Sequence, residues 1–217
     1  MVDLQTLYPF LSGARTDRGV LEELTGQAAR KAREVVALRR AMVEQNEEPL
    51  LACAETLARK AITGGRLFTF GNGGSSCDAQ QVATTFLHPP HGRPIPALAL
   101  TNDVALVTAL GNDVGFELVF ARQLAAIGDS GDVALGLSAS GGSLNVVQAM
   151  KQARRQGMAT IGFAGYDGGA MAAPGLVDFL FVVPSSSIHR IQEVQTTVYH
   201  LLWELTQREV ARNDHHH

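Results

Sequence analysis

Two cysteines, Cys53 and Cys77, are all that the 217-residue chain contains. They make neither a metal-ligand pair nor a disulfide framework, a usage that fits the cytoplasm. Charge of either sign is also in short supply: 18 Lys and Arg against 21 Asp and Glu leave a net charge of −3. That balance argues against a dedicated nucleic-acid binder. No long apolar run follows the N-terminus, where Asp3 comes early, so neither a signal peptide nor a membrane span is expected. The nucleotide signatures are missing as well. Residues 71–76 lack G-x-G-x-x-G, and no Gly-Lys-Ser/Thr follows a glycine-rich turn, which excludes the dinucleotide fingerprint and the P-loop. Residues 215–217 are three histidines, native or the remnant of a tag, and are set aside from site reasoning.

What is present is a strand-turn-helix junction made twice. The stretch 66–78 reads R-L-F-T-F-G-N-G-G-S-S-C-D: an apolar run from Leu67 to Phe70 stops at Gly71, and a helix is predicted from Cys77. Glycine lets the backbone come close to a guest, and the free amides and dipole of a helix N-terminus favour an anion. The design returns at 132–143, where a strand over 132–137 runs into Ser138-Ala139-Ser140-Gly141-Gly142-Ser143 before a helical pattern over 144–156. Two such cradles lie at the carboxyl ends of a parallel sheet, the edge at which open α/β sheets bind ligands. Serine-rich loops without lysine suit a monoester phosphate on a small molecule.

The remaining pattern sets the architecture. Leu4, Leu7, Tyr8, Phe10 and Leu11 fit a short amphipathic helix that Pro9 interrupts. Residues 19–64 are helical in two segments, broken near 46–49. The first carries Arg30, Lys31, Arg33, Arg39 and Arg40, interspersed with Glu22, Glu23, Glu34 and Glu44, which reads as a solvated face. These helices cover a sheet face or join a subunit interface. Further strands are predicted at 95–100, 159–164 and 179–183. Helices are predicted at 77–87, 104–110, 116–127, 170–173 and 188–211. The alternation predicts an α/β fold, a three-layer αβα sandwich on a five-stranded parallel sheet with extra N-terminal helices. No domain boundary is evident, so residues 1–217 read as a single domain, helical to about residue 64 with a sheet core over about 65–211.

In this order the motifs Gly71-Asn72-Gly73-Gly74-Ser75, Gly111-Asn112-Asp113-x-Gly115-Phe116, Ser138-x-Ser140-Gly141-x-Ser143, Tyr166-Asp167-Gly168-Gly169 and Arg190-Ile191-Gln192-Glu193 resemble the sugar isomerase (SIS) domain family. Over about residues 40–210 they are most similar to its phosphoheptose isomerases, which convert sedoheptulose 7-phosphate to a mannoheptose 7-phosphate, and to the DnaA initiator-associating protein. The resemblance implies a flavodoxin-like sheet, a sugar-phosphate ligand held by the second cradle, and a homotetramer with shared sites. It makes Asn72, Gly73, Gly74, Ser75, Thr85, Asn102, Asp103, Ser138, Ala139, Ser140, Ser143 and Gln192 substrate-contacting positions. Ala139 contributes backbone only.

In the isomerases a metal lies between a His and a Glu on the helix after the first cradle and a Gln and a His on the last helix. The last-helix pair is present here as Gln192 and His200, but the other two positions hold Gln81 and Thr85. Amide oxygen and neutral hydroxyl are poor zinc ligands, so no metal cofactor is expected. Aldose–ketose isomerisation needs a base to move a proton between adjacent carbons. Among His200, Glu193, Asp103, His88 and His91, the imidazole of His200 is the first choice as catalytic group. The other reading of His200 is a histidine packed against a partner. Glu193 reads as a salt bridge or cap, and Tyr199 with Trp203 as packing on a helix interface. Two functions follow: a phosphoheptose isomerase-like enzyme, or a non-catalytic sugar-phosphate sensor or assembly protein that has lost the chemistry.

Overall fold

The computed structural model describes residues 17–214; the N-terminal stretch around Pro9 and the terminal histidines lie outside them. The chain divides into residues 1–37 and 38–217. Helix α1, Asp17–Gln45, begins in the first of these, where Leu21 and Leu24 are exposed. Helix α2, Glu47–Ile62, follows after Asn46 alone. The predicted break at 46–49 is thus one residue wide, because Pro49 falls in the first turn of α2, where a missing N–H costs no helical bond.

The sheet strands are β1 (Leu67–Gly71), β2 (Ala97–Ala99), β3 (Val133–Ser138), β4 (Ala159–Gly165) and β5 (Phe179–Val183). They are all parallel, in the order β2-β1-β3-β4-β5. This is the flavodoxin-like winding, which reverses direction between β1 and β3 and opens a crevice at their carboxyl ends. The intervening helices are α3 (Gly74–Leu87), α4 (Val104–Asp113), α5 (Val119–Ile127) and α6 (Leu144–Arg155), and α7 (Ile188–Asp214) ends the described chain. Short 3₁₀ turns at Phe116–Leu118 and Gly169–Ala172 stand where α-helix was expected.

Alternation along the strands assigns the layers. Phe68, Phe70 and Ala134 point into one cluster with Val119, Phe120 and Leu124 of α5 and Val146, Val147 and Met150 of α6. Burying each large side chain fully contributes about 1.5–3 kcal/mol. Thr69 points to the opposite face, where its buried hydroxyl donates to the Ala79 carbonyl at 2.7 Å and ties α3 to β1. Helix α2 packs on α7, and α7 on α3 and β4. At the amino-terminal ends of β1 and β3 the sheet is anchored by Asp132, which is 2% exposed. It accepts Arg66 N at 2.8 Å, Arg66 Nη2 at 2.7 Å and Asp129 N at 2.9 Å. Burial works to raise the Asp132 carboxyl, yet the bonds from Arg66 and Asp129 outweigh it and hold the group below the ordinary aspartate range.

Three boundaries differ from expectation. Strand β2 is three residues rather than six, since Pro94 and Pro96 supply no amide to a ladder. Helix α4 runs on through Gly111, Asn112 and Asp113, three residues past the predicted end at 110. Helix α3 starts at Gly74, three residues before Cys77, because Ser75 N and Ser76 N already bond back to the Asn72 and Gly73 carbonyls at 3.0 Å.

Candidate functional site

Both cradles lie at the carboxyl edge of the sheet, on neighbouring strands. In the first, α3 follows β1 after only Asn72 and Gly73. Within the described residues the amides of Gly73 and Gly74 have no backbone acceptor, which leaves them available to an anion. At Gly74 a Cβ would meet the side-chain amide of Gln192 on α7, which would have to move aside. The close approach carries Gln192 onto the first turn of α3, so two of the expected contact residues meet. Ser75 is 4% exposed, so any contact it makes is through its backbone or from below the loop. Ser76 Oγ donates to Thr101 Oγ1 at 3.1 Å, joining this cradle to the loop of Asn102 and Asp103. Asp103 Oδ1 accepts Leu106 N at 2.9 Å as the N-cap of α4.

The second cradle is a hydroxyl network. Ser138 Oγ donates to Ser143 Oγ at 2.9 Å, Ser143 N donates to Ser138 Oγ at 3.3 Å, and Gly142 N donates to Ser140 Oγ at 3.2 Å. A hydroxyl has one proton to give. Ser140 and Ser143 both act as acceptors here, so both keep an O–H to donate. Gly141 has φ of +63° and lies against the Gly168 carbonyl, with no room for a Cβ. The Tyr166-Asp167-Gly168-Gly169 motif therefore buttresses the cradle from behind, and Met171 N donates to the Gly141 carbonyl at 2.9 Å.

The two cradles are bridged by a contact that the sequence did not disclose. Asn72 Nδ2 donates to Asn145 Oδ1 and Asn145 Nδ2 donates to Asn72 Oδ1, each at 2.8 Å. Asn145, 3% exposed at the start of α6, thus fixes Asn72 at the crevice. A buried amide amid the apolar Val146 and Val147 was the available signal.

On α3, Gln81 and Thr85 are closed on each other. Gln81 Nε2 donates to Thr85 Oγ1 at 3.2 Å, and Thr85 Oγ1 donates to the Gln81 carbonyl at 2.8 Å. Thr85 is 8% exposed. On α7, His200 Nδ1 lies 2.8 Å from the Thr196 carbonyl. A carbonyl only accepts, so Nδ1 carries the proton and Nε2 of the neutral ring keeps its lone pair. Among the described residues no hydrogen bond joins Gln81 or Thr85 to Gln192 or His200. No group of three or more His, Cys, Asp or Glu converges there either. One imidazole, two amides and a neutral hydroxyl do not fit zinc. His91 packs edge-on against Trp203, ring centroids 4.8 Å apart, and His88 caps the exposed end of α3. Glu193 gives its carbonyl to Arg39 Nη2 at 3.1 Å. None of these three is drawn into the crevice.

A flavodoxin-like sheet with two bridged, glycine- and hydroxyl-lined loops at its carboxyl edge defines an α/β domain for a small anionic ligand. The family model described as SIS domain matches residues 32–165, and the chain belongs to the SIS-domain family. Within it, the phosphoheptose isomerase of Roseiflexus sp. strain RS-1 is 42% identical over 177 residues, 80% of this chain and 88% of that protein. The phosphoheptose isomerase of Aquifex aeolicus is 41% identical over 181 residues, 82% of this chain and 94% of its own. The solved structure of phosphoheptose isomerase GmhA from Neisseria gonorrhoeae superposes with a TM-score of 0.79 at 34% identity, covering 85% of this chain and 99% of that one.

Proposed function

We propose that this protein is a sugar-phosphate isomerase of the phosphoheptose type, working without zinc. The observation that carries the reading is the pair of bridged cradles, in which Ser140 and Ser143 accept hydrogen bonds from Gly142 N and Ser138 Oγ and keep their own protons to donate. The relatives favour an isomerase over a non-catalytic sensor. Ser138, Ser140, Ser143 and the Ala139 backbone hold the phosphate, while Asn72, Gly73, Gly74, Asn102 and Asp103 line the sugar. His200 Nε2 takes the proton from the hydroxyl-bearing carbon beside the carbonyl, and the Gln192 amide donates a hydrogen bond to the carbonyl oxygen as it becomes an enediolate. The hydroxyl proton passes from the one oxygen to the other, and His200 returns its proton to the former carbonyl carbon.

The protein is proposed to be cytoplasmic, in keeping with two free cysteines. Among the described residues no helix is long and apolar enough to cross a membrane. A homotetramer is proposed as well. It is supported by α4, which is apolar yet has no buried residue, with Val104 68% exposed and Leu106 40% exposed.

The test is a melting-temperature screen against sugar phosphates of five to seven carbons, run on protein whose mass in solution is measured by sedimentation. A ligand that binds only the folded state raises the melting point, by about 2.7 kcal/mol of stability at a hundredfold excess over Kd. A shift with a heptose phosphate and a four-chain species are expected. A folded protein indifferent to every sugar phosphate sinks the ligand assignment, and a monomer sinks the tetramer.

A further inference from the structure

Asp78 is the only charged residue in α3, and the chemistry above leaves it unused. With Gln81 and Thr85 it occupies positions i, i+3 and i+7, one stripe of the helix. That stripe carries Gln81 and Thr85 where the resemblance implies a metal-holding His and Glu, and it has this carboxylate one turn closer to the cradle. The carboxylate is engaged: Tyr199 Oη of α7 donates to Asp78 Oδ1 at 3.3 Å. Tyr199 is 3% exposed, so its hydroxyl must find a partner inside the protein. Among the described residues the other one is Thr196 Oγ1, at 3.5 Å. Burial pushes the Asp78 carboxyl above the ordinary aspartate range, and the Tyr199 hydroxyl draws it partly back.

The Tyr199 ring in turn lies beside His200, centroids 4.9 Å apart and planes inclined by 30°. His200 is therefore held twice, at Nδ1 by the Thr196 carbonyl and across its face by Tyr199. Thr196 is itself fixed by donating from Oγ1 to the Gln192 carbonyl at 3.0 Å. The imidazole, the phenol and the carboxylate form one chain from α7 to α3.

We propose that Asp78 is a positioning residue for His200, acting through Tyr199: the carboxylate holds the phenol, and the phenol ring holds the imidazole in one orientation. The catalytic consequence rests on the isomerase reading, whereas the orientation itself does not.

Four variants separate the two: Asp78→Ala, Tyr199→Phe, the double variant and Asp78→Asn. The first readout is the imidazole ¹H–¹⁵N spectrum of His200, which needs no turnover. The wild-type ring shows one state protonated at Nδ1, and Asp78→Ala and Tyr199→Phe both broaden or double its signals. The second readout is steady-state turnover of a heptose phosphate. Asp78→Ala and Tyr199→Phe each lower kcat by about tenfold with KM unchanged, a modest share of what misplacement of a catalytic group can cost. The double variant is no worse than the poorer single, as members of one chain are not additive. Asp78→Asn, whose amide oxygen still accepts the phenol, recovers most of the rate. Tyr199→Phe keeps the ring packing, so the test survives if Asp78→Ala fails to fold. Unchanged His200 signals in the single variants overturn the proposal. Perturbed signals in a protein that never turns over uphold the positioning and overturn the isomerase reading instead.

Discussion

His200→Ala lowers kcat for a heptose 7-phosphate by about 10²–10⁴-fold, the range a positioned acid/base group contributes, and leaves KM little changed. The direction follows from the proton inventory of the site. Thr85 and Gln81 satisfy each other and offer no group that titrates near neutrality. Asp103 is committed to the N-cap of α4, and His91 is turned onto Trp203. Among the described residues of the site, His200 presents an imidazole whose Nδ1 is engaged and whose Nε2 keeps a lone pair. Its removal deletes the proton shuttle while the cradles that bind phosphate stay intact. KM rising with kcat unchanged would mean that His200 binds the sugar, and full activity would remove it from the reaction. The variant is checked by single-turnover kinetics beside equilibrium binding, so that chemistry and affinity are read separately.

The largest effect on affinity is expected from Ser140→Ala combined with Ser143→Ala. Each removes a hydrogen bond to an ionised phosphate, about 1.5–3 kcal/mol. Together they amount to roughly 3–6 kcal/mol, or about 10²–10⁴-fold in Kd. The network adds to the loss. Without Ser143 Oγ, the Ser138 hydroxyl, 2% exposed, loses its acceptor, and without Ser140 Oγ, Gly142 N loses its own. Titration calorimetry with the same sugar phosphate on wild type and variant measures the difference. Equal affinities would place the phosphate elsewhere.

Much of this was legible before any coordinates. An apolar run ending in glycine, then hydroxyls, then a helical period is a local signal, and it occurred twice, so the parallel sheet and both cradles could be read from it. Boundaries went astray where one residue type serves two states. Ser75 and Ser76 read as loop because serine competes with helix through its hydroxyl, yet they form the first turn of α3. Gly111 read as a stop and is helical. The contacts that tune the site were out of reach for another reason. Asn72 and Asn145 are 73 residues apart, and Asp78 and Tyr199 are 121 apart. No periodicity or spacing pairs such residues, because only the winding of the sheet and the parallel course of α3 and α7 bring them together. Tyr199 carried a partial signal as a buried-type residue on the last helix, but its hydroxyl partner was not to be found in its own neighbourhood of the chain.

The replacement of a metal-ligand pair by Gln81 and Thr85 sets this chain apart from the chemistry that its resemblance implies, and the account stands on the claim that isomerisation proceeds without zinc. Turnover of sedoheptulose 7-phosphate by chelator-treated protein tests it most directly. The account predicts the same rate before and after treatment and no gain when zinc is restored. Activity that disappears with the chelator and returns with zinc would contradict it.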